Sequence, residues 1–172
     1  MDRRLREIKE AVDRLAKVVG ATPSQLPTYG STADFAQPHI EVHGIEYHWV
    51  VIERGQVSDR RVFTTLDELL FQVFSSVTFS LACEWELTHR VPGKDCRRAM
   101  FLKQIELLDR LEPAWAQRER QHHEEALVSH PFDDSSDARV ALSKRLRSEG
   151  ATAHVAWHLA CKAYPLPRPP GQ

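Results

Sequence analysis

Apolar residues recur at three- and four-residue steps in Leu5, Ile8, Val12, Leu15 and Val19, which places them on one face of a helix. The pattern predicts an amphipathic helix over residues 2–19 that Gly20 ends as a C-terminal cap. Residues 21–38 contain Pro23, Pro27, Gly30 and Pro38 and read as an irregular connector, with room for a short helical turn near Ser31–Ala36. From His39 the period becomes two. Ile40 and Val42 alternate with His39, Glu41 and His43. After the His43-Gly44 turn signal, Ile45, Tyr47, Trp49 and Val51 alternate with Glu46, His48, Val50 and Ile52. Arg54-Gly55 marks a second turn before Val57–Phe63. Residues 39–63 thus predict a three-stranded antiparallel meander. Its Ile45/Tyr47/Trp49/Val51 face should be buried, and its Glu46/His48 face solvated or turned to a partner.

The remainder is patterned for helices. Thr65 with Glu68 three residues on is a capping box. It opens a helix over residues 65–90 that is apolar on most sides, hence central. Val91-Pro92-Gly93 stops it. Asp95 caps a second helix, striped by Phe101, Leu102, Ile105, Leu108 and Leu111. Glu112-Pro113 starts a third, polar after Trp115, which His130-Pro131 ends. Two more run from Ser135/Ser136 to about Glu149 and from Thr152 to about Tyr164. The fold class that follows is α+β: a three-stranded antiparallel meander packed against a mainly helical C-terminal two-thirds, with an N-terminal helix. Residues 1–164 read as one domain and 165–172 as a Pro-rich mobile tail.

A chain of 172 residues can bury a substantial core. The formal charge of −1 argues against a free-standing nucleic-acid binder, which would be strongly basic. Cys83, Cys96 and Cys161 form no CxxC and no disulfide framework. The charged start of the chain is followed by no apolar stretch and does not read as a signal peptide. The greasiest run, Leu69–Ala82, is broken by polar residues and does not read as a bilayer span. A cytoplasmic protein without membrane partners is therefore expected.

Candidate chemistry is sparse. His154, His158 and Cys161 share one helical face and could ligate zinc, but Trp157 and Tyr164 flank it and suit packing. His122-His123-Glu124-Glu125 lacks the order of a zincin motif. No nucleophile elbow and no phosphate-binding or dinucleotide-binding glycine motif occurs. The residues therefore predict no enzyme, no cofactor and no required metal. Arg90, Lys94, Arg97 and Arg98 bracket the Pro92-Gly93 turn. They suit a partner surface, or equally an internal brace in which Arg97 and Arg98 pair with Glu84 or Glu86. With Glu46 and His48 on the sheet, these cations are the candidate partner-binding residues.

Three segments carry a resemblance. They are the strand with Tyr47 and Trp49, the helix opening Leu66-Asp67-Glu68-Leu69-Leu70, and the stretch Thr78–Asp134. That stretch includes His89–Arg98, Phe101, Lys103–Leu108, Trp115 and His130-Pro131-Phe132-Asp133-Asp134. Over about residues 39–134 the chain resembles the sixty-third numbered immunity family of bacterial polymorphic toxin systems. The resemblance implies a small α+β protein that binds and neutralises a cognate toxin domain, and it carries over no catalytic residue. A non-enzymatic adaptor and a small metalloprotein are the alternative readings.

Overall fold

The computed structural model describes residues 2–31 and 36–169. The expected helical turn near Ser31–Ala36 falls largely on residues 32–35, outside the described residues, as do residues 170–172 of the tail. The chain divides into two compact units, residues 1–81 with 104–117 and residues 82–103 with 118–172.

The first unit opens with α1 (Arg3–Val19). The Asp2 side chain accepts the Arg4 backbone N–H at 2.8 Å, and Gly20 closes the helix with φ 73°. Leu5, Ile8, Val12, Ala16 and Val19 line its buried face, as the spacing requires. The sheet contains β1 (Thr28–Tyr29), β2 (Pro38–His43), β3 (Glu46–Glu53) and β4 (Gln56–Phe63), in that spatial order.

The expectation of a three-stranded antiparallel meander is overturned here: the sheet has four strands and is mixed. β1 pairs parallel to β2 through Thr28↔His39 and Tyr29↔Ile40. A strand of two residues has no period to detect, and Pro23, Pro27 and Gly30 around it signal turns. Gly30 holds φ 73° and donates its N–H to the Ile40 carbonyl at 2.8 Å; a Cβ there would meet Leu5 Cδ1 at 3.3 Å.

The β2–β3 loop is Gly44-Ile45, between the paired His43 and Glu46. The β3–β4 loop is Arg54-Gly55, with φ 53° and 75°, the left-handed pair of a type I′ hairpin turn. A bulge between Val51 and Ile52 shifts the β3–β4 register. On the core face Trp49 is only 4% exposed and Tyr47 and Val51 are half-buried. Ile45, expected on the same buried face, is 81% exposed, because it sits at the turn rather than in a strand.

Two-sided apolar character makes α2 (Leu66–Thr88) the central helix of this unit: Leu69, Val73, Phe74 and Val77 are buried in its core. The Thr65/Glu68 capping box forms in both directions, at 3.2 and 3.3 Å. By length and composition alone α2 could cross a membrane; its share of this core accounts for the same hydropathy. Leu107, Leu108, Trp115 and Ala116 complete the core. The Trp115 ring stacks on Phe74 at 6.1 Å and meets Phe71 edge-on at 6.4 Å, while its indole N–H donates to Asp67 at 3.0 Å.

α3 (Cys96–Asp109) and α4 (Pro113–Ser129) follow, then α5 (Ser136–Ser148) and α6 (Ala153–Ala163). In the second unit α5 and α6 pack on each other, with Ala156 and Ala160 buried. Thr152 caps α6 by accepting the Val155 N–H. Phe101 stacks face to face on His123 at 3.8 Å, and burial lowers the His123 imidazole pKa against the opposing pull of Glu119.

Candidate functional site

Two polar constellations contain the candidate partner-binding residues, one in each unit. The first lies on the sheet face opposite Trp49. Cross-strand pairing sets Glu41 against His48 and His43 against Glu46. Because paired residues and residues two apart share a face, these four side chains form one square beside the Gly44-Ile45 turn. His48 Nε2 lies 3.1 Å from Glu46 Oε2 and His43 Nε2 lies 2.9 Å from Glu41 Oε2. The buried His39 holds the other Glu41 oxygen at 3.0 Å. From β4, Arg60 Nη1 reaches Glu41 Oε2 at 3.0 Å and His48 Nδ1 at 2.8 Å. Burial pushes the Glu41 carboxyl pKa up, but hydrogen bonds from His43, His39 and Arg60 outweigh it and bring it down to about 2. Sequence reading had named Glu46 and His48 but missed Glu41, His43 and Arg60. Period-two alternation across a tight turn was the signal that could have found the first two.

The second constellation surrounds the Pro92-Gly93 turn. All four cations there have partners within the chain. Arg90 grips Glu86 with two hydrogen bonds of 3.0 Å. Arg97 donates to Asp95 and also to the main-chain carbonyls of His130 and Pro131, at 2.9 and 2.8 Å. Lys94 and Arg98 both hold Asp134, at 3.2 and 2.8 Å, and the Arg98 guanidinium lies over the Phe132 ring at 4.1 Å. Backbone donors add to the clasp: Asp95 N–H to Asp134 at 3.0 Å and Asp133 N–H to Asp95 at 2.8 Å. The brace to Glu86 thus comes from Arg90, whereas Arg97 and Arg98 tie the start of α3 to the segment 130–134. The charge of Asp133-Asp134 was legible beside the start of α5. Its pairing with residues almost forty positions earlier had no local signal.

These bonds fix the acid sensitivity of the second unit. Hydrogen bonds from Arg97, against the opposing effect of burial, bring the Asp95 pKa down to about 2. Arg98 and the Asp95 backbone lower Asp134, and Arg139 lowers Asp133. Carboxylates held below their unfolded pKa of 3.8 stabilise the fold fully above that value, and that stability is lost as pH falls through the folded pKa. The thermal midpoint should therefore hold from neutrality to about pH 4 and fall steeply toward about pH 2. Asp95→Asn should lower the midpoint at pH 7 and flatten the acid limb. An unchanged limb in that variant would remove the clasp as its source.

His154 and His158 are exposed on α6 and Cys161 is half-buried. Among the described residues the trio that gathers at metal-ligand spacing is instead Glu41, His43 and His48, whose ligand atoms lie within 4.8 Å of one another.

Comparison with known proteins gives one finding. A family model described as Immunity protein 63 matches residues 43–125. That span covers β3, β4, α2, α3 and most of α4, and so includes His43, Glu46, His48, Arg60 and the Arg90–Arg98 cations. No curated protein matches the chain, and no solved structure does.

Proposed function

We propose that this chain, whose residues 43–125 match the Immunity protein 63 family model, binds a cognate toxin domain and neutralises it in the cytoplasm of the producing cell. The family match is the observation that carries this reading. It describes an inhibitor rather than a catalyst, in keeping with a sequence that carries no catalytic motif.

The polar sheet face supports a contact role for Glu46 and His48. Both lie within the matched region, Glu46 is exposed, and neither takes part in the apolar core. The cationic turn divides by what its side chains already hold. Arg90 and Lys94 are exposed beyond their single carboxylate partners and can offer charge to an acidic toxin surface. Arg97 is mostly sequestered in the clasp, and Arg98 is shared between Asp134 and Phe132. Reversal of Arg90 and Lys94 to Glu should weaken toxin binding by about tenfold or more. Reversal of Arg97 and Arg98 should act first on stability, lowering the thermal midpoint.

The test is co-expression with the product of the adjacent upstream gene, scored for growth rescue and co-purification. The wild-type chain should do both. An Arg90→Glu/Lys94→Glu protein with unchanged affinity would remove the turn from the interface. Absence of rescue and of any co-purifying toxin would overturn the immunity reading and favour an adaptor.

A further inference from the structure

The square of Glu41, His43, Glu46 and His48 has features that an incidental surface cluster lacks. Arginine can only donate hydrogen bonds. The contact from Arg60 Nη1 at 2.8 Å therefore makes His48 Nδ1 an acceptor, and the His48 proton sits on Nε2, where Glu46 Oε2 accepts it at 3.1 Å. A carboxylate that fixes the tautomer and orientation of an imidazole, leaving the opposite nitrogen unprotonated, is the arrangement that accompanies metal-bound histidine. Glu41 is prepared in the same way. His39 holds Oε1 at 3.0 Å, leaving Oε2 toward His43 and Arg60. One nitrogen of Arg60 thus lies within 3.0 Å of both Glu41 Oε2 and His48 Nδ1, and marks a position where a cation is already favoured.

We propose that this face of the β2–β3 hairpin is a binding site for a divalent transition metal of the zinc class. Glu41 Oε2, His48 Nδ1 and His43 Nε2 are its ligands, and Glu46 and His39 orient them. Two imidazoles and one carboxylate form a donor set suited to zinc, whereas calcium and magnesium favour all-oxygen sites. The metal takes the position of the Arg60 head, whose side chain is 38% exposed and can swing into solvent. His43 keeps one proton, which shifts from Nε2 to Nδ1, so both imidazoles bind as neutral ligands. The hairpin itself supplies the rigidity. His43 and Glu46 flank a two-residue turn, and Glu41 and His48 are paired one step inward. A fourth coordination position stays open to solvent.

The test uses the full chain alone, stripped with chelator and titrated with zinc by calorimetry, then with cobalt followed by its visible absorption. One zinc should bind per chain, and cobalt should give the intense absorption of a four-coordinate site. His43→Ala and Glu41→Gln should each weaken binding by about tenfold or more. Arg60→Ala should tighten it, because the competing internal cation is gone. Because His48 is largely buried, its alanine variant is checked by thermal midpoint in chelator, and the exposed His43 provides the second reading. Absence of zinc binding would overturn the site. So would binding untouched by His43→Ala and Glu41→Gln but lost in His158→Ala, which would assign the metal to α6. Either result leaves the toxin-binding reading intact, since no toxin enters the measurement.

Discussion

Arg139→Ala should destabilise the protein by about 3 kcal/mol. Arg139 is 2% exposed on α5, an unusual place for a permanent charge. It persists there because every direction of the guanidinium is met. Asp133 takes two hydrogen bonds at 2.7 and 2.9 Å, and the carbonyls of Tyr164 and Pro165 take others at 2.8 and 3.1 Å. Truncation leaves a half-buried carboxylate and two carbonyls without their donor, and it is this abandonment that costs, more than the attraction lost. Asp133 retains some contact with water, which keeps the expected value at the low end for a broken buried pair. Urea unfolding would show a lower midpoint. Arg139→Lys should recover only part of it, because one ammonium cannot reach all four acceptors. A midpoint within experimental error of wild type would show that water replaces the guanidinium at no cost.

Trp49→Ala should cost about 3–5 kcal/mol by opening a cavity in the first unit. Trp49 pairs with Ile40 on one side and Arg61 on the other, in the middle of the sheet, where strands on both flanks restrict collapse. Phe74, fully buried on α2, belongs to the same core cluster. Trp49→Phe should restore most of the loss. Denaturant unfolding followed by far-ultraviolet circular dichroism would test both. Wild-type stability in Trp49→Ala would contradict the placement of this side chain in the core.

What could be read from sequence follows from how local its cause is. The Thr65/Glu68 box and the Gly20 cap are local chemistry, and they formed as their spacing required. Trp49 was assigned to the core by alternation alone, a property of the strand carrying it. β1 was missed because two residues carry no alternation and their pairing with β2 is decided by chain path. The cations at the turn were visible as a dense charge, but the reach of Arg98 to Asp134 spans the loop closures of two helices. The Glu41–Arg60 contact likewise needs β4 folded back on β3 before its partners meet. Sequence therefore showed where charged residues concentrate along the chain, while the contacts among them depend on how distant segments meet.

β4 pairs with β3 and, among the described residues, with no other strand, so a line of main-chain donors and acceptors faces outward. Such an edge is a template on which copies of one chain could add strand to strand without limit. Its middle residues, Asp59, Arg60 and Arg61, turn this edge into a poor template. Each would bring charge into a newly formed sheet, and their present partners, Arg61 for Asp59 and Glu41 for Arg60, lie within the same molecule. Adding a strand would require those charges to be desolvated with little electrostatic gain. The same three residues that break the hydrophobic alternation of β4 thus oppose strand-by-strand addition of further copies at this edge.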